Sequence, residues 1–440
     1  MFDRRLLANF DWSLLLLTLA ISLLGVAAIY SASKGYPGNP NFWLKQLYWI
    51  GIGLAAGFVV LLADFRTIGQ WSYLFHGLVV VSLLTLPLTG SGNVQVDRWF
   101  TIGPVAIQPS EFAKFTTVLA IAFCLRDGRR VGHLGLRGMI IPTLLMLIPF
   151  FLIVNQPDLG TALLLPAIFI PIILLAGLRM RLLVFLAVSC VLAIAVLVAS
   201  FRLGYHKVDT ALVEHLRRQG HGEAQLREVA RLRGTVYYLP GTLRRGLSAN
   251  PLLSDDETLL ETAEERSFHP FISYLLRPYQ QRRLITFLDP DQDPLGAGYH
   301  VIQSRVAIGS GRLAGKGFGN STQGSLNFLP ARHTDFIFSI FAEEWGFLGA
   351  MGLLMLYALL VFRAISILFQ TRDRFSAFVT MGIASLIAAQ VLINAGMAAG
   401  LLPVVGVPLP FFSYGGSSMI TMMMGIAILL NIRMRRFLWT

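Results

Sequence analysis

Charge is scarce in this chain, and so is sulfur. Of 440 residues 14% are charged and 55% are apolar, with a mean hydropathy of +0.64, a balance far from that of a soluble globular domain. The two cysteines, Cys124 and Cys190, both fall inside apolar runs, which excludes a disulfide framework and a thiolate metal site. Acidic residues are the minority: 24 Asp and Glu stand against 36 Lys and Arg, for a net charge of +12. No stretch interleaves basic and aromatic side chains as a single-strand groove would, so nucleic acid is not an expected partner. Nor is a nucleotide. Gly309-Ser310-Gly311-Arg312-Leu313-Ala314-Gly315-Lys316-Gly317 is one residue short of P-loop spacing, puts Gly317 where Ser or Thr should hold magnesium, and is not a GxGxxG. Repeats, low-complexity tracts and linkers between separately folding units are missing as well.

What the chain does have is long apolar runs. Spans are expected at about 12–30, 43–63, 72–90, 109–126, 138–155, 158–178, 181–201, 336–363, 375–398 and 416–433, each near the ~20 residues that cross hydrocarbon. The first run follows Asp3, Arg4 and Arg5 and ends in Ser31-Ala32-Ser33, as a signal peptide does. It is longer than a signal core and more spans follow, so it reads as a retained helix. The expected fold is an all-α polytopic membrane protein of ten transmembrane helices, with a large extracytoplasmic loop between helices 7 and 8. Arg126, Arg129, Arg130, Arg137, Arg179, Arg181, Arg363, Arg372, Arg374, Arg433, Arg435 and Arg436 then share the cytoplasmic side with both termini. The domain is single over 1–440. Within it, 204–276 is a charged helical extracytoplasmic insertion, with helix signals near 209–219, 222–233 and 255–267 and a capping box at Ser254 and Glu257. No chemistry is assigned to it.

Every unusual motif falls on the outer side. Asp335 follows Arg332-His333-Thr334 and directly precedes an apolar run; a carboxylate there caps a helix, and one poorly solvated beside a polar loop also serves as a general base. Asp158, in Asn155-Gln156-Pro157-Asp158, interrupts about forty apolar residues, as a turn whose Asp caps the next helix or as an ionisable group facing a cavity. Glu111 and Lys114 are at i, i+3 inside the fourth span; at ~3 kcal/mol per intramembrane charge, they pair or line a polar cavity rather than face lipid. Arg98-Trp99 is an interfacial anchor or a ligand contact. The glycine-rich segment with Arg305, Arg312 and Lys316 is either a flexible loop or a pyrophosphate holder.

These motifs together resemble the SEDS proteins (shape, elongation, division and sporulation), and the elongation members more than the division members. The resemblance rests on Arg98-Trp99, Gln108-Pro109-Ser110-Glu111 with Lys114, Gln156-Pro157-Asp158-Leu159-Gly160-Thr161, Asp293-Pro294-Leu295-Gly296-Ala297-Gly298-Tyr299 and Ala307-Ile308-Gly309-Ser310-Gly311. It continues in Phe328-Leu329-Pro330, His333-Thr334-Asp335-Phe336, Val405-Gly406-Val407-Pro408-Leu409-Pro410 and Ser413-Tyr414-Gly415-Gly416-Ser417, in the expected order. It implies a peptidoglycan glycosyltransferase that polymerises lipid II at the outer face of the bacterial inner membrane during cell elongation. The implied partners are a class B penicillin-binding transpeptidase and other elongation-complex membrane proteins. Asp335 is the implied catalytic carboxylate. Arg98, Trp99, Glu111, Lys114, Asp158, Lys316, Arg332, His333 and Ser413 are the implied substrate-binding or cavity residues. The insertion at 204–276 and Arg312, where Gly is common, depart from the family pattern.

A donor on undecaprenyl pyrophosphate already carries a good leaving group, so one base and a cationic clamp suffice, where a glycosidase needs two carboxylates. The clamp is a basic side chain or a divalent cation, Mg or Mn. Two other readings stay open at this point: a flippase for the same lipid-linked sugar, and a non-catalytic scaffold for a cell-wall synthase.

Overall fold

The computed structural model describes residues 9–34, 41–89, 98–102, 105–127, 135–156, 158–178, 297–325, 329 and 331–436, with single positions at 184, 188, 192, 280, 283–284 and 286–287. Apart from those three single helical positions, the expected span at 181–201 lies outside the described residues. So do the 204–276 insertion, its three helices and its capping box. Residues 1–179, 304–401 and 405–440 form one compact unit, and 180–303 with 402–404 form another.

The described chain is mostly helical: α1 (Trp12–Ser33), α2 (Phe42–Leu62), α3 (Phe65–Gln70), α4 (Ser72–Thr89), α5 (Pro109–Leu125), α6 (Leu136–Asn155), α7 (Leu159–Leu175), α8 (Ala297–Ser310), α9 (Thr322–Ser325), α10 (Ile337–Gln370), α11 (Arg374–Ala398) and α12 (Gly416–Arg435). By length and composition, six helices among the described residues can cross a membrane: α1, α2, α6 over Arg137–Asn155, α10, α11 and α12. Two shorter apolar helices, Ser72–Leu86 and Leu159–Leu175, lie beside them in sequence. One departure from an all-α chain is a two-stranded antiparallel hairpin, β1 (Phe100–Ile102) with β2 (Val105–Ile107), pairing Phe100 with Ile107. It leads straight into α5.

Burial separates lipid-facing from central helices. α4 and α10 leave Leu78, Val81, Leu84, Met355 and Phe362 exposed, whereas α5, α11 and α12 are buried around most of their circumference. A helix apolar all round belongs in the middle of a bundle. Gly382 of α11 sits so close to Val118 of α5 and Ile172 of α7 that a Cβ would lie 2.5 Å from Val118. Polar side chains tie the ends. Asn431 of α12 donates to the carbonyls of Val60 (2.8 Å) and Ala63 (2.7 Å) at the end of α2, satisfying acceptors a helix terminus leaves open.

At 34 residues, α10 would be about 51 Å long if straight. It is not: Gly346 has φ 66°, ψ −166°, a backbone that side chains resist. The stretch from Phe347 onward is long enough to span alone, which leaves Ile337–Trp345 as a separate arm carrying Asp335 just ahead of it.

Candidate active site

Asp158 caps α7, its Oδ1 accepting from the Thr161 amide at 3.2 Å. The carboxylate also reaches across to α5: Oδ2 accepts from Gln108 Nε2 at 2.9 Å and Ser110 Oγ at 3.2 Å. The Gln108 amide in turn donates to Ser417 Oγ (3.0 Å) at the start of α12. One buried acid thus gathers the first turns of two helices, and a third joins through Gln108. A negative group at a helix N-terminus is favoured there by the unpaired amides and the dipole.

Two residues on, Gly160 lets the 405–409 loop lie directly on α7: a Cβ at Gly160 would be 2.5 Å from the Val405 carbonyl oxygen and 3.1 Å from that of Gly406. Gly406 has φ +78°, and a Cβ on it would be 3.4 Å from Asp335 Oδ2. Asp335 and the turn capped by Asp158 therefore meet the same loop segment. This is the central geometric fact of the site.

The segment that presents Asp335 is braced through its backbone. Ala331, at φ 52°, turns the chain so that its carbonyl accepts from the Thr334 and Asp335 amides, both at 3.1 Å. Asn394 of α11 donates to the Asp335 carbonyl (2.9 Å) and the Val407 carbonyl (2.7 Å). Ser413 Oγ donates to Thr334 O (2.7 Å) and accepts from Leu409 N (2.8 Å), and the Tyr414 amide donates to His333 O (2.9 Å). Gln46 of α2 fastens the far side by donating to Ser413 O at 3.1 Å. α10 starts at Ile337, and its N-cap position is held by Phe336. The expectation that Asp335 caps this helix is corrected, because the turn at Ala331 ends one residue too late for Asp335 to take that position.

His333 stacks on Phe42 (ring centroids 4.4 Å, 9° between planes) and lies 5.8 Å from Tyr414. Burial, then the neighbouring Arg332 charge, hold its pKa at about 4, so it is a neutral ring at physiological pH rather than a cation.

Glu111 and Lys114 are brought together: Lys114 Nζ donates to both carboxylate oxygens at 2.8 Å, with side chains 4% and 1% exposed. Lys316 and Arg332 are placed differently from a phosphate clamp. Lys316 Nζ pairs with Glu343 at 2.5 Å and also donates to Thr322 Oγ1 at 2.9 Å. Arg332 is buried and donates to the carbonyls of Gly324 and Lys34. The glycine-rich segment lies on the broken part of α10, with the Lys316 and Gly317 amides donating to the Glu343 (3.0 Å) and Glu344 (2.9 Å) carbonyls. Those two amides are therefore committed to protein. Arg98 and Trp99 stand just before β1, Trp99 36% exposed.

Sequence reasoning missed Glu343 and Glu344. Both are buried in the arm of α10; Glu343 accepts from Ser321 Oγ (2.5 Å), Thr322 N (3.0 Å) and Thr322 Oγ1 (2.7 Å) as well as Lys316, and Glu344 accepts from Ser31 Oγ. The signal was present as two adjacent acids in an otherwise apolar run, each costly unless paired. Among the described residues no group of three or more His, Cys, Asp or Glu side chains could hold a metal ion.

The chain matches the FtsW/RodA/SpoVE family, described as "Cell cycle protein", over residues 11–218 and 264–437. It belongs to that family. The resemblance read from the motifs is thereby borne out, and the unmatched stretch 219–263 falls inside the insertion expected at 204–276. It is 32% identical to "Peptidoglycan glycosyltransferase RodA" of Treponema pallidum, covering 98% of both chains. It is 33% identical to "Peptidoglycan glycosyltransferase MrdB" of Escherichia coli K12, over 97% of this chain and 94% of the other. "Stage V sporulation protein E" of Bacillus subtilis is 31% identical, with 96% of each covered. Among solved structures, a chain from "Structural coordination of polymerization and crosslinking by a peptidoglycan synthase complex" superposes with TM-score 0.67 at 27% identity, covering 97% of this chain and 98% of that one. The protein is thus a multi-pass membrane protein of this family.

Proposed function

We propose that the chain is a peptidoglycan glycosyltransferase that joins lipid II units into glycan strands, with Asp335 as general base. The observation that carries this is the placement of the Asp335 carboxylate against Gly406, on the loop that rests on the α7 turn capped by Asp158. Its backbone is held from α2, α11 and the 405–414 loop. The names of two relatives, matched over nearly the whole of both chains, support the same activity.

In this reading Asp335 takes the proton from the 4-hydroxyl of the acceptor GlcNAc as that oxygen attacks C1 of the donor MurNAc. The C1–O bond to undecaprenyl pyrophosphate breaks, and the configuration inverts from α to β. Positive charge of the glycine-rich segment balances the departing pyrophosphate; Arg312 is exposed there, whereas Lys316 sets the segment's position through Glu343. A divalent cation, Mg or Mn, held by a carboxylate and the pyrophosphate itself, would supply the same charge balance. Asp158, Glu111 and Lys114 shape the cavity rather than exchange protons. His333, neutral, packs its wall.

The topology that goes with this is ten spans, both termini cytoplasmic, and the site on the outer face of the inner membrane, with 204–276 as an outer insertion. The partner is a class B penicillin-binding transpeptidase, in line with the synthase complex named for the structural neighbour. The test is lipid II polymerisation by purified protein with that partner, wild type against Asp335→Asn at matched melting temperature. Glycan chains from wild type and a fall of about 10² or more in the variant are expected. Equal chain yields from both proteins sink the general-base role; no chains from either, with lipid moving across vesicles, replaces the enzyme with a flippase.

A further inference from the structure

Glu343 lies wholly buried in the arm of α10, and the reaction above gives it no role beyond holding Lys316. Its carboxylate accepts from Lys316 Nζ (2.5 Å), Ser321 Oγ (2.5 Å), the Thr322 amide (3.0 Å), Thr322 Oγ1 (2.7 Å) and the Gln323 amide (3.4 Å). Donors converging on both oxygens call for a carboxylate, because a neutral amide would turn its own N–H groups toward some of them. The arrangement is a helix cap supplied from distant chain. Ser321 precedes α9, and its Oγ accepts from the Gly324 amide at 2.9 Å; Glu343 takes the Thr322 and Gln323 amides that this cap leaves open.

The other end of α9 returns to the site. The Gly324 carbonyl accepts from buried Arg332, three residues before Asp335, while Glu343 lies about two helical turns past the start of α10. The stretch from Arg332 to Glu343, which carries Asp335, thus has both ends tied to one four-residue helix. The arm is gripped at its break as well, where the Phe347 and Leu348 amides donate to the Arg312 (2.8 Å) and Leu313 (3.1 Å) carbonyls. We infer that Glu343 is a positioning residue for polymerisation: by capping α9, which holds Arg332, it closes the Asp335 segment into a ring and fixes the direction in which that carboxylate meets the acceptor hydroxyl. Glu343 acts through the backbone, not at the reacting atoms. The inference rests on Asp335 being the general base. Misplacing a reacting group by about 1 Å costs on the order of 10² in rate, so a loosened ring is read in turnover while substrate binding stays.

The experiment measures lipid II polymerisation by the full chain with its transpeptidase partner, as rate against lipid II concentration, with the melting temperature of each variant alongside. Ser321→Ala, which cuts the link between Glu343 and the α9 cap, is expected to lower kcat about 10-fold with KM within about 2-fold of wild type, and Ser321→Thr, which keeps the hydroxyl, to restore kcat to within about 2-fold. Glu343→Gln is expected to fall further, by about 10²; if it does not fold, the two Ser321 variants decide. Asn431→Ala removes the tie between α12 and α2, outside the ring, and is expected to lose melting temperature but not kcat. A loss in Ser321→Ala no greater than in Asn431→Ala at matched melting temperature, a rise in KM alone, or failure of Ser321→Thr to rescue overturns the positioning role. Asp335→Asn, run in parallel, separates the two readings: full activity in it sinks the general base and the ring with it, whereas its inactivity beside unimpaired Ser321→Ala and Glu343→Gln sinks the ring alone.

Discussion

The Glu111–Lys114 pair permits a prediction in which removing more costs less. Lys114 Nζ is 2.8 Å from both carboxylate oxygens, and the two side chains are 1% and 4% exposed. At that separation and an effective dielectric of about 20, the attraction is roughly 6 kcal/mol, most of it offset by the cost of taking both ions out of water. Lys114→Met keeps the desolvation of Glu111 and discards the attraction, so it should cost about 3–5 kcal/mol. Glu111→Gln/Lys114→Met leaves neither charge and should lie within about 1–2 kcal/mol of wild type. The assay is thermal unfolding in detergent, read as relative melting temperatures because unfolding of such a protein is irreversible. The single variant should melt several degrees below the double. Equal melting temperatures refute the argument, since they mean the two charges are stabilised separately. Activity gives a second axis: if the pair walls the substrate cavity, the double variant recovers its stability without recovering full polymerisation.

Three further perturbations follow from the geometry. Gly160→Ala places a methyl 2.5 Å from the Val405 carbonyl; it should cost about 1–3 kcal/mol and, by shifting the loop that backs Asp335, lower polymerisation by about 10², measured by chain yield against melting temperature. His333 has its pKa held at about 4 when folded against an ordinary 6.5, so the unfolded chain takes up a proton that the folded one refuses. Stability is then full above pH 6.5 and falls as pH drops toward 4, by about 2 kcal/mol between pH 7 and pH 5, and His333→Phe should flatten that part of the melting profile. Deleting 207–270 with a short linker should leave polymerisation in place, because the family match skips 219–263; complete loss in a well-folded deletion variant would make the insertion part of the enzyme.

Local pattern reached some residues fully. Nine of the ten expected spans coincide with helices among the described residues, and six of those helices are long and apolar enough to cross a membrane; of the tenth only positions 184, 188 and 192 are described, all helical. Asp158 caps α7 as its position after Gln156-Pro157 suggested, and Glu111 meets Lys114 at the i, i+3 spacing. What pattern could not give is what comes from distant chain. Lys316 reads as a free cation in a glycine-rich loop, and only folding puts it on Glu343, 27 residues away. The same holds for the arm of α10: apolar periodicity runs smoothly through Gly346, and the break is set by backbone contact with Gly315, whose own φ is +84°. The β hairpin was missed because each strand is three residues long, below any alternation that could be read.

The polar contacts of α1 carry a consequence for biogenesis. Asp11 is held by Arg363 and Arg433, Ser31 by Glu344, and the Lys34 carbonyl by Arg332, so α1 finds these polar partners on segments synthesised about three hundred or more residues later. Until α10 and α12 arrive, the nascent chain carries Asp11 without the two guanidiniums that hold it when folded. Locking of α1 through these contacts therefore waits until α10 and α12 have been made.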